Sequence, residues 1–137
     1  MKFWIVSFVA AGAVMLVVDA FWLSTMGRLL YRPLLGDILL EDFRLTPAII
    51  FYLLYVTAIV VFAISPAARA DSAWTAFLFG AFLGLVAYGT YDLTNHATLK
   101  AWTTTLTAVD MAWGATLTAL SASIGFLVAR LTVGLPQ

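Results

Sequence analysis

Asp19, Asp92 and Asp110 lie in or at the ends of segments otherwise apolar enough to cross a bilayer. A carboxylate there costs free energy. It therefore marks either a functional site or a polar network that fastens helices. Two carboxylates close together in a poorly hydrated place cannot both stay ionised cheaply. A proton or a nearby cation must compensate, and Lys100, Arg28, Arg32 or a bound metal are the candidates. A pair of unequal carboxylates of this kind suits proton transfer.

Two of the three aspartates sit in matching motifs. Val18-Asp19-Ala20-Phe21-Trp22, with Thr25 after it, matches Val109-Asp110-Met111-Ala112-Trp113, with Thr116 after it. Both read Val-Asp-x-x-Trp-x-x-Thr. The indole N–H can donate to a carboxylate, and its ring can wall a lipophilic pocket. The third aspartate lies on one helical face with Tyr88, Asn95 and His96, spaced i, i+4, i+7 and i+8. Asp19, Asp92 and Asp110 are the candidate catalytic residues. Trp22, Tyr91, Asn95, Lys100 and Trp113 are the candidate ligand-binding residues.

The chain has 137 residues, 64% hydrophobic and 10% charged, with a mean hydropathy of +1.02. A soluble domain averages about 25% charged residues, so this chain reads as one integral membrane domain. Its net charge of zero argues against a nucleic-acid partner. With no cysteine and one histidine, His96, it lacks thiolate chemistry and, within one chain, bis-histidine haem ligation and histidine-rich di-iron chemistry. The carboxylates show no specific metal-ligand spacing, so neither a metal nor another cofactor is expected.

Four apolar stretches are long enough to span, at about 20 residues each: 3–23, 47–64, 73–94 and 107–131. Thr46 before Pro47 reads as a helix N-cap, and Ser65-Pro66 as the end of the second helix. Asp71 or Ser72 suits the start of the third, and Thr103-Thr104-Thr105 precedes the fourth. The start of the chain also fits a secretory leader ending near Val18-Asp19-Ala20. Its apolar run is long for one, and it carries a single lysine, Lys2. The connection 24–44 repeats apolar residues every four to five positions, with charges between and interruptions near Pro33 and Gly36. It reads as an amphipathic segment in the interface or packed on the bundle end. The terminal side carries Lys2, Arg69 and Arg130; the other carries Arg28, Arg32, Arg44 and Lys100. Three against four sets no orientation.

The predicted fold is all-α: an antiparallel four-helix transmembrane bundle with an interfacial amphipathic segment between the first and second helices. Gly80 and Gly84 form a GxxxG, and Gly114, Thr118 and Ala122 repeat its spacing. These rows bring the third and fourth helices into close contact, or form a homodimer seam. Trp4, Trp74 and Trp102, with Tyr52 and Tyr55, read as interfacial belt and core. Up-and-down topology alone puts the end of the first helix, the end of the third and the start of the fourth on one face. All three aspartates then share a depth.

The stretch Gly84-Leu85-Val86-Ala87-Tyr88-Gly89-Thr90-Tyr91-Asp92-Leu93-Thr94-Asn95, followed by Ala97-Thr98-Leu99-Lys100 and Trp102, resembles the bacterial membrane family known as domain of unknown function 2177. Phe51-Tyr52-Leu53-Leu54-Tyr55 and the two Asp/Trp pairs extend the likeness over nearly the whole chain. The resemblance implies a small protein of the bacterial inner membrane and no known activity. His96 falls where that family is expected to have leucine, which argues against His96 as a ligand or base.

Three functions fit the residues. The first is a polar pocket at one membrane face that binds, and modifies, a lipid or small lipophilic molecule. Its partners would be membrane lipids. The second is a proton- or cation-coupled carrier. Against it, the charges cluster at one face and no inverted repeat is present. The third is an accessory subunit whose network only joins helices. The topology is testable first. In this cysteine-free chain, Arg69→Cys and His96→Cys should be labelled by a membrane-impermeant thiol reagent from opposite sides. Labelling from the same side would refute it.

Overall fold

A computed structural model describes residues 1–40 and 44–136. Four helices are long and apolar enough to cross a membrane: α1 (Lys2–Leu35), α2 (Leu45–Ala70), α3 (Ala73–Thr98) and α4 (Thr104–Val133). No strand occurs among the described residues. Neighbouring helices in the chain run antiparallel. Asp19 of α1 bonds Trp113 of α4, and farther along α1 Tyr31 bonds Asp110. Central α4 has 44% of its most apolar stretch buried, against 22–28% in the others.

The burial pattern is that of a protein solvated by hydrocarbon. Large apolar side chains such as Phe21, Leu54, Phe62 and Phe82 point outward, while Ser7, Asp19, Asp92, Asp110, Thr118 and Ser121 are buried. Lipid tails are as apolar as leucine, so close packing and internal polar contacts hold the helices. The glycine rows supply that packing. A Cβ on Gly80 would stand 2.9 Å from both the Ala122 Cβ and the Thr118 carbonyl oxygen. A Cβ on Gly84 would overlap the Gly114 carbonyl, and one on Gly114 would overlap the Tyr88 ring. The GxxxG thus joins α3 to α4. Gly125 does the same for α1, where a Cβ would meet Ala11 at 2.8 Å.

Two sequence boundaries change. The first span does not stop near residue 23; α1 runs on through a π-helical turn, Gly27–Tyr31, to Leu35. The second does not close at Ser65-Pro66. It passes through a π-helical turn, Val60–Ile64, and continues to Ala70, with Ser65 itself helical at φ −63°, ψ −46°. The cause is common to both. Proline lacks an N–H and its ring crowds the carbonyl four residues back. Here the residue before each proline reaches one residue farther: Arg32 N–H bonds Gly27 O before Pro33, and Ser65 N–H bonds Val60 O before Pro66. The widened turn accommodates the ring without ending the helix.

The extension explains the amphipathic connection. At 1.5 Å per residue, 34 residues reach about 51 Å, well beyond a hydrocarbon core of about 30 Å. The last turns of α1, with Arg28 and Arg32, therefore form the interfacial segment as a continuation of the first span. Leu30, Tyr31, Leu34 and Leu35 pack on Trp102 and Leu106, closing over that bundle end. A short 3-10 turn, Gly36–Ile38, follows. Glu41, Asp42 and Phe43, part of the repeating pattern, lie outside the described residues.

The caps are partly as expected. Ser72 accepts from Thr75 N at 3.3 Å and Thr103 from Leu106 N at 3.2 Å. Asp71 instead ends α2 in the left-handed region at φ 46°, with Ser72 N–H bonding back to Ala67 O. Thr46 is not a cap. α2 starts at Leu45 after an extended Arg44, which puts Pro47 in the first turn, where a missing N–H is harmless. At the terminal face, exposed Arg130 and Asp71 pair at 2.8 Å, a contact of small energetic weight.

Gly84→Ala should destabilise the bundle by about 1–3 kcal/mol through overpacking. Gly36→Ala, with open space around its Cβ, should not. Thermal unfolding in detergent would compare them. Equal midpoints would contradict the glycine seam.

Candidate functional site

The two Asp/Trp motifs meet face to face. Trp22 and Trp113 stack with ring centroids 4.1 Å apart and planes 7° from parallel. Each indole then serves the carboxylate of the other motif. Trp113 Nε1 donates to Asp19 Oδ1 at 3.2 Å. Trp22 Nε1 donates at 3.0 Å to the Tyr31 hydroxyl, which in turn donates to Asp110. Tyr52 completes the set by donating its hydroxyl to Asp19. Antiparallel packing of α1 and α4 makes this exchange natural. Each tryptophan lies one turn from its own aspartate, but opposite the other helix.

Asp19 and Asp110 are buried, at 6% and 5% exposure. Their partners are neutral O–H and N–H donors, not the cations considered from sequence. Arg28 Nε donates to Ser24 O on its own helix, and Arg32 and Lys100 are exposed. Arg130–Asp71 is the one ion pair among the described residues, and it lies at the other face. The motif threonines stay outside the network: Thr25 and Thr116 donate to Phe21 O and Ala112 O of their own helices.

Asp92 differs. It is fully buried, and among the described residues neither of its oxygens has a hydrogen-bond partner. Trp102 is itself buried with an unpartnered Nε1. A buried carboxylate without a partner is costly, and natural proteins seldom leave one so. Gly84 and Gly89 hold this part of α3 close to α4, where a Cβ on Gly89 would stand 3.1 Å from Met111 Cε.

The other candidates are distributed around this centre. Tyr91 sets its ring edge against Trp102 at 5.3 Å. Asn95 is half-buried, whereas His96 and Lys100 are exposed. Among the described residues no group of three or more histidine, cysteine or acidic side chains is arranged to hold a metal. Tyr31 and Tyr52 are site residues that sequence reasoning missed. Tyr52 reads from sequence as belt or core, and Tyr31 carries no motif. Their signal is a phenol within reach of the same face as Asp19 and Asp110. Tyr55 is buried and shares a 2.8 Å hydrogen bond with Thr118.

A family model described as predicted membrane protein (DUF2177) matches residues 4–127. The chain belongs to this family. The match includes both Asp/Trp motifs, Tyr31, Tyr52, Asp92 and Trp102, so the whole polar face lies within the family's extent. The family's function is unknown. No curated protein and no solved structure matches the chain.

Tyr31→Phe would leave Trp22 and Asp110 without their shared partner. It should cost about 1–3 kcal/mol, the usual penalty for stranding buried polar groups. Thr116→Val, which removes only an exposed back-bond, should be near neutral. Chemical unfolding in mixed micelles would read both. A Tyr31→Phe protein as stable as Thr116→Val would mean the bridge carries no weight.

Proposed function

We propose that this membrane protein binds a lipid or other small lipophilic molecule at the face where Asp19, Asp92 and Asp110 converge, and transfers a proton on it. The observation that carries the reading is Asp92. Its two neighbours in the set are satisfied by tyrosine and tryptophan donors, whereas its own oxygens have no partner among the described residues. A satisfied pair beside an unsatisfied carboxylate suits a site in which the pair fixes geometry and the third group meets the ligand. In this reading Asp92 is the acid–base group, Asp110 orients through Tyr31, and Asn95 hydrogen-bonds the ligand. Trp22 and Trp113 form an apolar wall, with Tyr91 and Lys100 at the rim.

A proton-coupled carrier draws on a different observation. Buried hydroxyls continue from the Asp19 level toward the terminal face: Tyr55 with Thr118, then Ser121, then Ser7, whose carbonyl lies beside Gly125. Such a row is a path only if those hydroxyls matter to function, so Ser7→Ala and Ser121→Ala separate the two readings.

Asp92→Asn keeps size and hydrogen bonding but removes charge and titration. It should give a folded, membrane-inserted protein that no longer complements a deletion strain. Asp92→Leu should behave alike if no donor in the protein depends on the carboxylate. Full complementation by Asp92→Asn would remove proton transfer and proton carriage together, leaving a structural network.

A further inference from the structure

A cavity lies at the same face as the aspartates, between the α1 extension and the start of α2. It encloses about 770 Å³, within the usual range of small-molecule sites. Among the described residues its charged lining side chains are Arg32 and Arg44, and both are exposed. Ile38, Leu39 and Leu40 add apolar wall. Pro47 and Ala48 bring the first turn of α2 to its edge. Arg44 gives that helix no side-chain cap, so its first N–H groups and the positive end of its dipole lie at the cavity edge.

We propose that this cavity binds the oxyanion head group of an anionic amphiphile. Two guanidinium forks suit the paired oxygens of a phosphate or carboxylate, and the helix start adds N–H donors of the same preference. The apolar wall takes the first methylenes, and the tail leaves into the bilayer beside the outward apolar faces. Tyr31 lines this cavity and donates to Asp110. One phenol therefore joins the head-group site to the polar centre. The inference deepens the reading above by naming its ligand class, and its test does not use Asp92.

The full chain, purified in a neutral maltoside, would be titrated by native mass spectrometry with phosphatidylglycerol, oleate and diacylglycerol, with inorganic phosphate as competitor. Phosphatidylglycerol or oleate should be retained over diacylglycerol, and whichever binds tighter tells phosphate from carboxylate. Arg32→Gln with Arg44→Gln should weaken that retention by about tenfold or more, since charged hydrogen bonds are lost. Lysine at both positions should restore part of it. Diacylglycerol held as tightly as the anionic lipids would overturn the proposal, as would inorganic phosphate binding alone. Unchanged retention in the glutamine variant with lowered stability would overturn it too, by assigning the arginines to internal pairing with acidic residues of the connection. If the glutamine variant fails to fold, the preference of the native chain for anionic over neutral lipid decides. Thr116→Val, outside both the cavity and the polar centre, should keep this retention; the assay reads lipid and not activity, so loss of activity there and loss of lipid here fail independently.

Discussion

Gly84 lets the α3 backbone press against the Gly114 carbonyl, and Gly114 in turn leaves room for the Tyr88 ring. That contact sets the geometry of the polar face. It draws the C-terminal half of α3 against α4 and buries Asp92 completely beside the Asp110 helix. With hydrocarbon outside, no hydrophobic force pulls the helices together. Small residues must provide the approach, and polar residues must find partners within the bundle. Asp19 and Asp110 find theirs in Tyr52, Trp113 and Tyr31. Among the described residues Asp92 does not.

The meeting of the aspartates at one face was legible because it needs only four spans and alternating direction. The α3–α4 seam was legible because GxxxG and its matching row of Gly114, Thr118 and Ala122 have one main use in a membrane. The partner exchange was not legible. Which carboxylate Trp113 reaches depends on the rotation of α1 against α4, and sequence spacing fixes only its distance from Asp110. Tyr52 was hidden for a related reason: a tyrosine near a span end looks the same whether it faces head groups or Asp19. The interruption near Pro33 and the helix end at Ser65-Pro66 were misread because local rules treat proline as a stop. A π turn placed before it removes the clash and lets the helix run on.

The continuation of α1 has consequences beyond its length. It carries Tyr31 to the network and Leu35 onto Trp102, so one helix both supplies Asp19 and covers the centre that Asp92 occupies. The cover is apolar and continuous with the bundle, whereas the cavity beside it is flanked by arginines. Among the described residues the face thus has a buried centre and two arginines at its margin, joined through the Tyr31 phenol.

The central claim is that Asp92 is buried to meet a molecule from outside the chain. An experimental structure of the protein in lipid nanodiscs, at a resolution that shows head groups, tests it most directly. Density for a non-protein group is expected within hydrogen-bond distance of Asp92, on the side facing Asp110. An Asp92 carboxylate whose oxygens are bonded by the Trp102 indole and other protein donors alone would contradict it.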